Sequence, residues 1–152
     1  MSNLLIDAQN MAFRAYFSSQ GNPSEFNMEY RMLQMLMKLK REYPGANLRI
    51  VWDSWCKWRR DIYPDYKGSK IRLEMNPIKT HIVNRITSFR TVLSWILPQY
   101  SSEGCEADDV IAGLTLMLLP DHIYIVSTDQ DMMQLVSPNT TVIRPVDRKS
   151  VV

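Results

Sequence analysis

Three short apolar runs constrain this chain more than any other feature, because each one ends in aspartate. Leu4-Leu-Ile6 runs into Asp7, and Leu48-Arg-Ile-Val-Trp52 runs into Asp53. His122-Ile-Tyr-Ile-Val126 runs into Ser127-Thr128-Asp129-Gln130-Asp131. Apolar runs without strict alternation suit central parallel strands covered on both faces. Parallel strands begin and end on the same sides, so their terminal acids meet at one sheet edge. Open α/β sheets keep their ligand sites there. Taken alone, each Asp equally suits a turn or a helix cap.

Helical patterns separate the strands. One helix begins near residue 10 and carries Arg14, directed either back to the strand ends or into water. A second spans residues 25–43, with Met28, Met32, Leu36 and Leu39 at helical spacing. Met32, Met35 and Met37 read as core filler. A long amphipathic helix opens at Asn76-Pro77, an N-cap followed by proline at the first helical position. Its apolar stripe is Ile78, Ile82, Ile86, Phe89, Leu93 and Ile96, and Pro98 ends it. His81 has no partner at ligand spacing and reads as structural or exposed. A last strand is expected at Thr141-Val-Ile143.

A further helix begins at Glu106-Ala-Asp-Asp109, just before the apolar run 110–119. The macrodipole favours acids on a first helical turn, and an ordinary acidic helix start accounts for one or two of them. Glu106, Asp108 and Asp109 crowd together, and crowded carboxylates repel unless a cation lies among them. With Asp7, Asp53, Asp129 and Asp131, four elements deliver seven acids to one edge. Hard divalent ions such as Mg²⁺ or Mn²⁺ take such oxygen ligands. The absence of a Cys or His ligand set argues against zinc.

Charge is segregated. Residues 57–90 hold nine Lys or Arg against three acids, a net +6 within a chain whose total is +2. Residues 91–143 hold no Lys or Arg and seven acids. A basic block opposite an acidic one suits a metal-dependent enzyme acting on a polyanion. Within the basic block, residues 54–75 interleave Trp, Tyr, Arg and Lys. That composition lets aromatic faces stack on bases while cations meet phosphates. The bland alternative is an exposed loop with solvated charges, and Pro and Gly point to irregular backbone there.

Cys56 and Cys105 have no metal spacing and are expected as reduced thiols. MSNLLIDAQN lacks a basic n-region and an apolar run long enough for a signal or a span. A cytoplasmic location without membrane association is the expectation.

Leu-Leu-Ile-Asp7-Ala-Gln-Asn, Trp-Asp53, Tyr66-Lys-Gly-Ser-Lys70, Glu-Ala-Asp-Asp109 and Ser-Thr-Asp129-Gln-Asp-Met-Met-Gln-Leu-Val136 occur in the order and spacing of the 5′-nucleases. The chain thus resembles the 5′-to-3′ exonucleases and flap endonucleases of phages and of bacterial DNA polymerase I, from residue 3 to about residue 146. The resemblance implies one α/β domain over 1–152, a three-layer sandwich with a mainly parallel central sheet (PIN-like), and a helical-arch segment over 54–75. It implies that Asp7, Asp53, Glu106 and Asp108, with Asp109 beside them, are ligands of a first metal site. Asp129 and Asp131 then belong to a second. Lys67 resembles the active-site lysine at the base of the arch and Arg14 a phosphate contact. Arg59, Arg60, Tyr66 and Lys70 join them as nucleic-acid contacts.

The implied activity is Mg²⁺- or Mn²⁺-dependent cleavage of 5′-flap or 5′-ended DNA, or of RNA–DNA hybrids, leaving 5′-phosphate and 3′-hydroxyl. The implied setting is a bacterial or phage-infected cell. The family pattern continues past Pro145 with two more aspartates and a helix–three-turn–helix region, whereas this sequence ends at Val152. The second metal site is therefore expected to be short of ligands. The alternative expectation is a nucleic-acid-binding half of a split nuclease, completed by a second polypeptide. A small PIN-like ribonuclease shares the acidic edge, but the Tyr-Lys-Gly stretch and the insertion before Asn76 argue against it.

Overall fold

The computed structural model describes residues 1–18, 26–66 and 76–145. Five strands form one sheet: β1 (Ser2–Asp7), β2 (Ala46–Val51), β3 (Gln99–Tyr100), β4 (His122–Val126) and β5 (Thr140–Ile143). Their order across the sheet is β3-β2-β1-β4-β5, and every neighbouring pair is parallel. The helices are α1 (Ala8–Ser18), α2 (Asn27–Glu42), α3 (Lys57–Ile62), α4 (Asn76–Ser94) and α5 (Ala107–Met117). A 3₁₀ turn covers Asp131–Leu135.

The central position of β1 explains its unbroken apolar run. Leu4 and Ile6 pack on one face and Leu5 on the other, all three fully buried. The first face carries α1, α2 and α4, through Met11, Ala12, Met28, Met32, Ile82 and Leu93. The second carries α5 and the 3₁₀ turn, through Ile111, Leu114 and Met132. This is the expected three-layer sandwich around a parallel sheet, with the two Asp-terminated strands β1 and β2 side by side.

The helix stripes hold with two exceptions. Met28, Met32, Leu36 and Leu39 are buried, and Met35 packs at the core margin, but Met37 is 62% exposed. It lies off the stripe, on the solvent side of α2. Ile96 is 66% exposed because α4 ends at Ser94, before the stripe's last position, rather than running on to Pro98. The two-residue β3 was not anticipated; α3 lies inside the stretch 54–75, for which Pro and Gly suggest irregular backbone and the family resemblance a helical arch. α3 has no buried residue, so no apolar periodicity announces it.

The chain fills β1, β2 and β3 on one side, then crosses back to β4 on the other. The carboxyl ends of β1 and β4 thus form a topological switch point, where adjoining connections diverge and leave a crevice.

Leu5→Ala, at the central strand, is expected to lower unfolding free energy by about 2–5 kcal/mol. Ile96→Ala is expected to change it by less than about 0.5 kcal/mol. Urea denaturation of the two variants measures the contrast.

Candidate active site

Asp7 closes β1 at the switch point and is only 7% exposed. Its Oδ1 accepts the Asn10 backbone N–H at 3.1 Å, and its Oδ2 accepts the Ser127 hydroxyl at 2.8 Å. Burial is the main force on its ionisation and raises the pKa from 3.8 to about 6. The two hydrogen bonds oppose that rise, and the charges of Asp53 and Asp129 add to it. Three acids delivered by three adjacent strands therefore share one electrostatic site, as the strand reading required.

Ser127 and Asn10 organise this end of the sheet. Ser127 Oγ also accepts the Asp129 backbone N–H at 3.1 Å. Asn10 Oδ1 accepts both the backbone N–H and the hydroxyl of Thr128, at 3.1 and 3.0 Å. Sequence reasoning missed both residues. The available signal was their place, three residues after Asp7 and two before Asp129. Asp131 opens the 3₁₀ turn, and its backbone N–H bonds Asp129 Oδ1 at 3.0 Å. Its side chain faces solvent, so the structure does not bring it against Asp7.

The acidic start of α5 is joined to the strand ends through Asp53. Asp53 Oδ1 accepts the Ala107 N–H at 2.7 Å, aiming a carboxylate at the helix's positive end. Asp109 accepts the Glu106 N–H at 3.0 Å, a capping contact that gives it a structural task. Asp108 is half-buried and its pKa is raised, first by burial and then by the charges of Asp109 and Glu106. The Asp109 N–H and the Arg59 charge pull the other way.

Arg59, expected on phosphate, reaches these acids instead. Its Nη1 donates to Glu106 at 2.7 Å and its Nη2 to both oxygens of Asp109 at 2.6 and 2.7 Å. Tyr66, also expected as a nucleic-acid contact, donates its hydroxyl to Glu106 at 2.9 Å. The tight turn of chain through 57–66 brings both side chains over α5, which their spacing alone does not reveal. Arg60 instead lies over the exposed Trp55 ring at 5.2 Å, and Trp58 and Tyr63 are also at least half-exposed. Arg14 is half-buried on α1, and its Nη1 is shielded from water without a hydrogen-bond partner among the described residues. Burial lowers its pKa. Lys67 and Lys70 lie outside the described residues.

The donor set is all carboxylate oxygen, which fits a hard divalent cation. Burial, and after it the charges of Asp53 and Asp129, raise the pKa of Asp7, and such a cation would oppose both effects. Among the described residues no three acids, histidines or cysteines are gathered at metal-holding distances. Arg59 and the Ala107 N–H hold several of the oxygens that such a group would need.

The family model for the 5′-3′ exonuclease N-terminal, resolvase-like domain matches residues 2–152. The chain is 29% identical to the 5′-3′ exonuclease of Mycoplasmopsis pulmonis, over 98% of this chain and 50% of that one. It is 32% identical to the 5′-3′ exonuclease of Aquifex aeolicus, over 94% and 50% respectively. It is 29% identical to the flap endonuclease Xni of Shewanella amazonensis, over 90% and 53%. The chain thus spans about half the length of the curated relatives it matches. In fold it is similar to bacteriophage T5 5′-exonuclease bound to divalent metal ions (zinc), with a TM-score of 0.78 at 19% identity. That alignment covers 99% of this chain and 58% of the other.

A raised carboxyl pKa means that Asp7 favours folding most when protonated. Its contribution is fully present below about pH 3.8 and is lost as pH rises through about 6. The difference is worth about 3 kcal/mol. In EDTA, Asp7→Asn is expected to flatten the fall in stability between about pH 4 and 6 and to exceed wild type at pH 7.5. Urea midpoints across that range test it; a wild-type stability that rises through the window would contradict the account.

Proposed function

Because the chain belongs to the family of 5′-3′ exonuclease N-terminal, resolvase-like domains, we propose that it works as a metal-dependent phosphodiesterase of the 5′-3′ exonuclease and flap endonuclease kind. The proposed substrates are 5′-flap or 5′-ended DNA and RNA–DNA hybrids, and the products are a 5′-phosphate and a 3′-hydroxyl. One observation carries this reading: Asp7, Asp53 and Asp129 interact electrostatically at the sheet's switch point, and Asp53 bonds the acidic start of α5. The relatives named 5′-3′ exonuclease and flap endonuclease support it. So does the similarity to a T5 flap endonuclease complex with DNA and metal ions, with a TM-score of 0.74 at 16% identity.

Asp7, Asp53, Glu106 and Asp108 would hold a divalent cation, Mg²⁺ or Mn²⁺, with Asp109 beside them. Asp129 and Asp131 would contribute to a second ion. Bound there, divalent ions supply Lewis acidity at the phosphate and a water of lowered pKa. The protein's own part is orientation. Ser127 fixes the rotamer of Asp7, and the Asn10–Thr128 bonds hold the loop that presents Asp129. Arg14, on the helix that leaves Asp7, would meet the phosphate, and its Nη1 has no hydrogen-bond partner among the described residues. Arg60 and the exposed Trp55, Trp58 and Tyr63 offer cations and ring faces to a single strand. Lys67, in the family's Tyr-Lys-Gly motif, and Lys70 would act on the same strand, within an arch over 54–75. The proposed setting is the cytoplasm of a bacterial or phage-infected cell.

A second reading is nucleic-acid binding without cleavage, with a second polypeptide completing the site. The grip of Arg59 on Glu106 and Asp109 favours it.

Cleavage of a 5′-end-labelled flap duplex in Mg²⁺ and Mn²⁺ separates the two. The nuclease reading expects metal-dependent cleavage that falls by about 100-fold or more in Asp108→Ala. Flap binding in EDTA with no cleavage in either metal at any protein concentration would favour the binding reading.

A further inference from the structure

Arg59 crosses from the basic segment to the acidic one, and among the described residues it is the main link between α3 and α5. α3 is six residues long and buries none of them. So short a helix has no stability of its own in water. Among the described residues, two side chains of α3 bond the region of α5: the Arg59 guanidinium on Glu106 and Asp109, and Trp58 Nε1 donating to the Gly104 carbonyl at 2.7 Å. The Arg59 side chain is 20% exposed and that of Glu106 is 14%. The Trp58 and Tyr66 rings lie 5.3 and 5.8 Å from the guanidinium carbon. A shielded pair of this kind is far less screened by salt than a surface pair.

Glu106 is also among the carboxylates assigned above to the divalent cation, and Asp109 stands beside them. A carboxylate oxygen that accepts a guanidinium N–H at 2.7 Å cannot at the same time offer that lone pair to a metal, and two cations within a few ångströms repel. We propose that Arg59 is a positioning residue that competes with the divalent cation for Glu106 and Asp109, so that loading of the site loosens α3. Without the cation, Arg59 neutralises the start of α5 and keeps α3 docked. With it, Arg59 releases Glu106 and becomes available to a phosphate. The proposal rests on the reading of these acids as metal ligands. Thermodynamic reciprocity gives it two signatures: removing the guanidinium tightens metal binding, and metal binding weakens the hold on α3.

The test is Mn²⁺ binding, followed by the electron paramagnetic resonance signal of the free ion. It is run on the 152-residue chain as wild type, Arg59→Met and Arg59→Lys. Hydrogen exchange of residues 57–63 in wild type is measured alongside, in EDTA and in saturating Mn²⁺. Arg59→Met is expected to bind Mn²⁺ about tenfold more tightly. Arg59→Lys keeps the charge and is expected to stay near wild type. Exchange at 57–63 is expected to speed up when Mn²⁺ is added. Equal or weaker Mn²⁺ binding by folded Arg59→Met overturns the competition while leaving the metal reading intact. A purely structural arginine would lower the melting temperature and leave the Mn²⁺ affinity unchanged. Should Arg59→Met not fold, the wild-type exchange decides: added protection at 57–63 overturns the proposal. No Mn²⁺ binding by wild type or by the variants overturns the metal reading and the competition together.

Discussion

Asp7 is a carboxylate buried at the end of the central strand, with two other acids close enough to resist its ionisation. A soluble domain does not ordinarily keep such an arrangement for stability, because burying charge without a counter-charge is costly. Much of the surrounding structure answers this one constraint. Asn10 and Ser127 each give Asp7 a hydrogen bond, and Ser127 also takes the Asp129 N–H. The carboxyl end of the sheet is therefore a polar network built around a charge, over a core that is mainly apolar.

The start of α5 faces the same difficulty and meets it differently. Its acids are spread among a helix terminus, a capping contact and a guanidinium. Asp53 bonds the Ala107 N–H, Asp109 the Glu106 N–H, and Arg59 spans Glu106 and Asp109. The macrodipole alone favours such acids modestly. The ordinary account of an acidic first turn is thus right for Asp109, and Asp53 meets the same helix end from β2. It is insufficient for Asp108, whose pKa the fold raises. Structural capping and the carboxylates proposed to hold a cation thus overlap at the start of α5.

The segregation of charge along the chain becomes a spatial one. The cations of 57–60 stand beside the acids of 106–109 because β2 and α5 are tied at their ends, by Asp53 to Ala107 and by the Ser54 N–H to the Cys105 carbonyl at 3.1 Å. One arginine of the basic block bonds the acidic block directly. Arg60 and the exposed rings of Trp55, Trp58 and Tyr63 remain on the outer surface.

By itself the sequence determined the layers and the placement of acids at strand ends. Those properties are local and periodic: an unalternating run such as Leu4-Leu-Ile6 demands cover on both faces, and Met28, Met32, Leu36 and Leu39 define one helical face. It also carried the family motifs. Tertiary structure decided the strand order β3-β2-β1-β4-β5, the exposure of Met37 and Ile96, the formation of α3 without an apolar stripe, and the partners of each functional side chain. Ser127 and Asp7 lie 120 residues apart, and Arg59 and Asp109 lie 50 apart. Periodicity has no reach over such separations. Which cation neutralises which acid, and how far burial lifts the pKa of Asp7, depend on distances that exist only once the sheet has assembled.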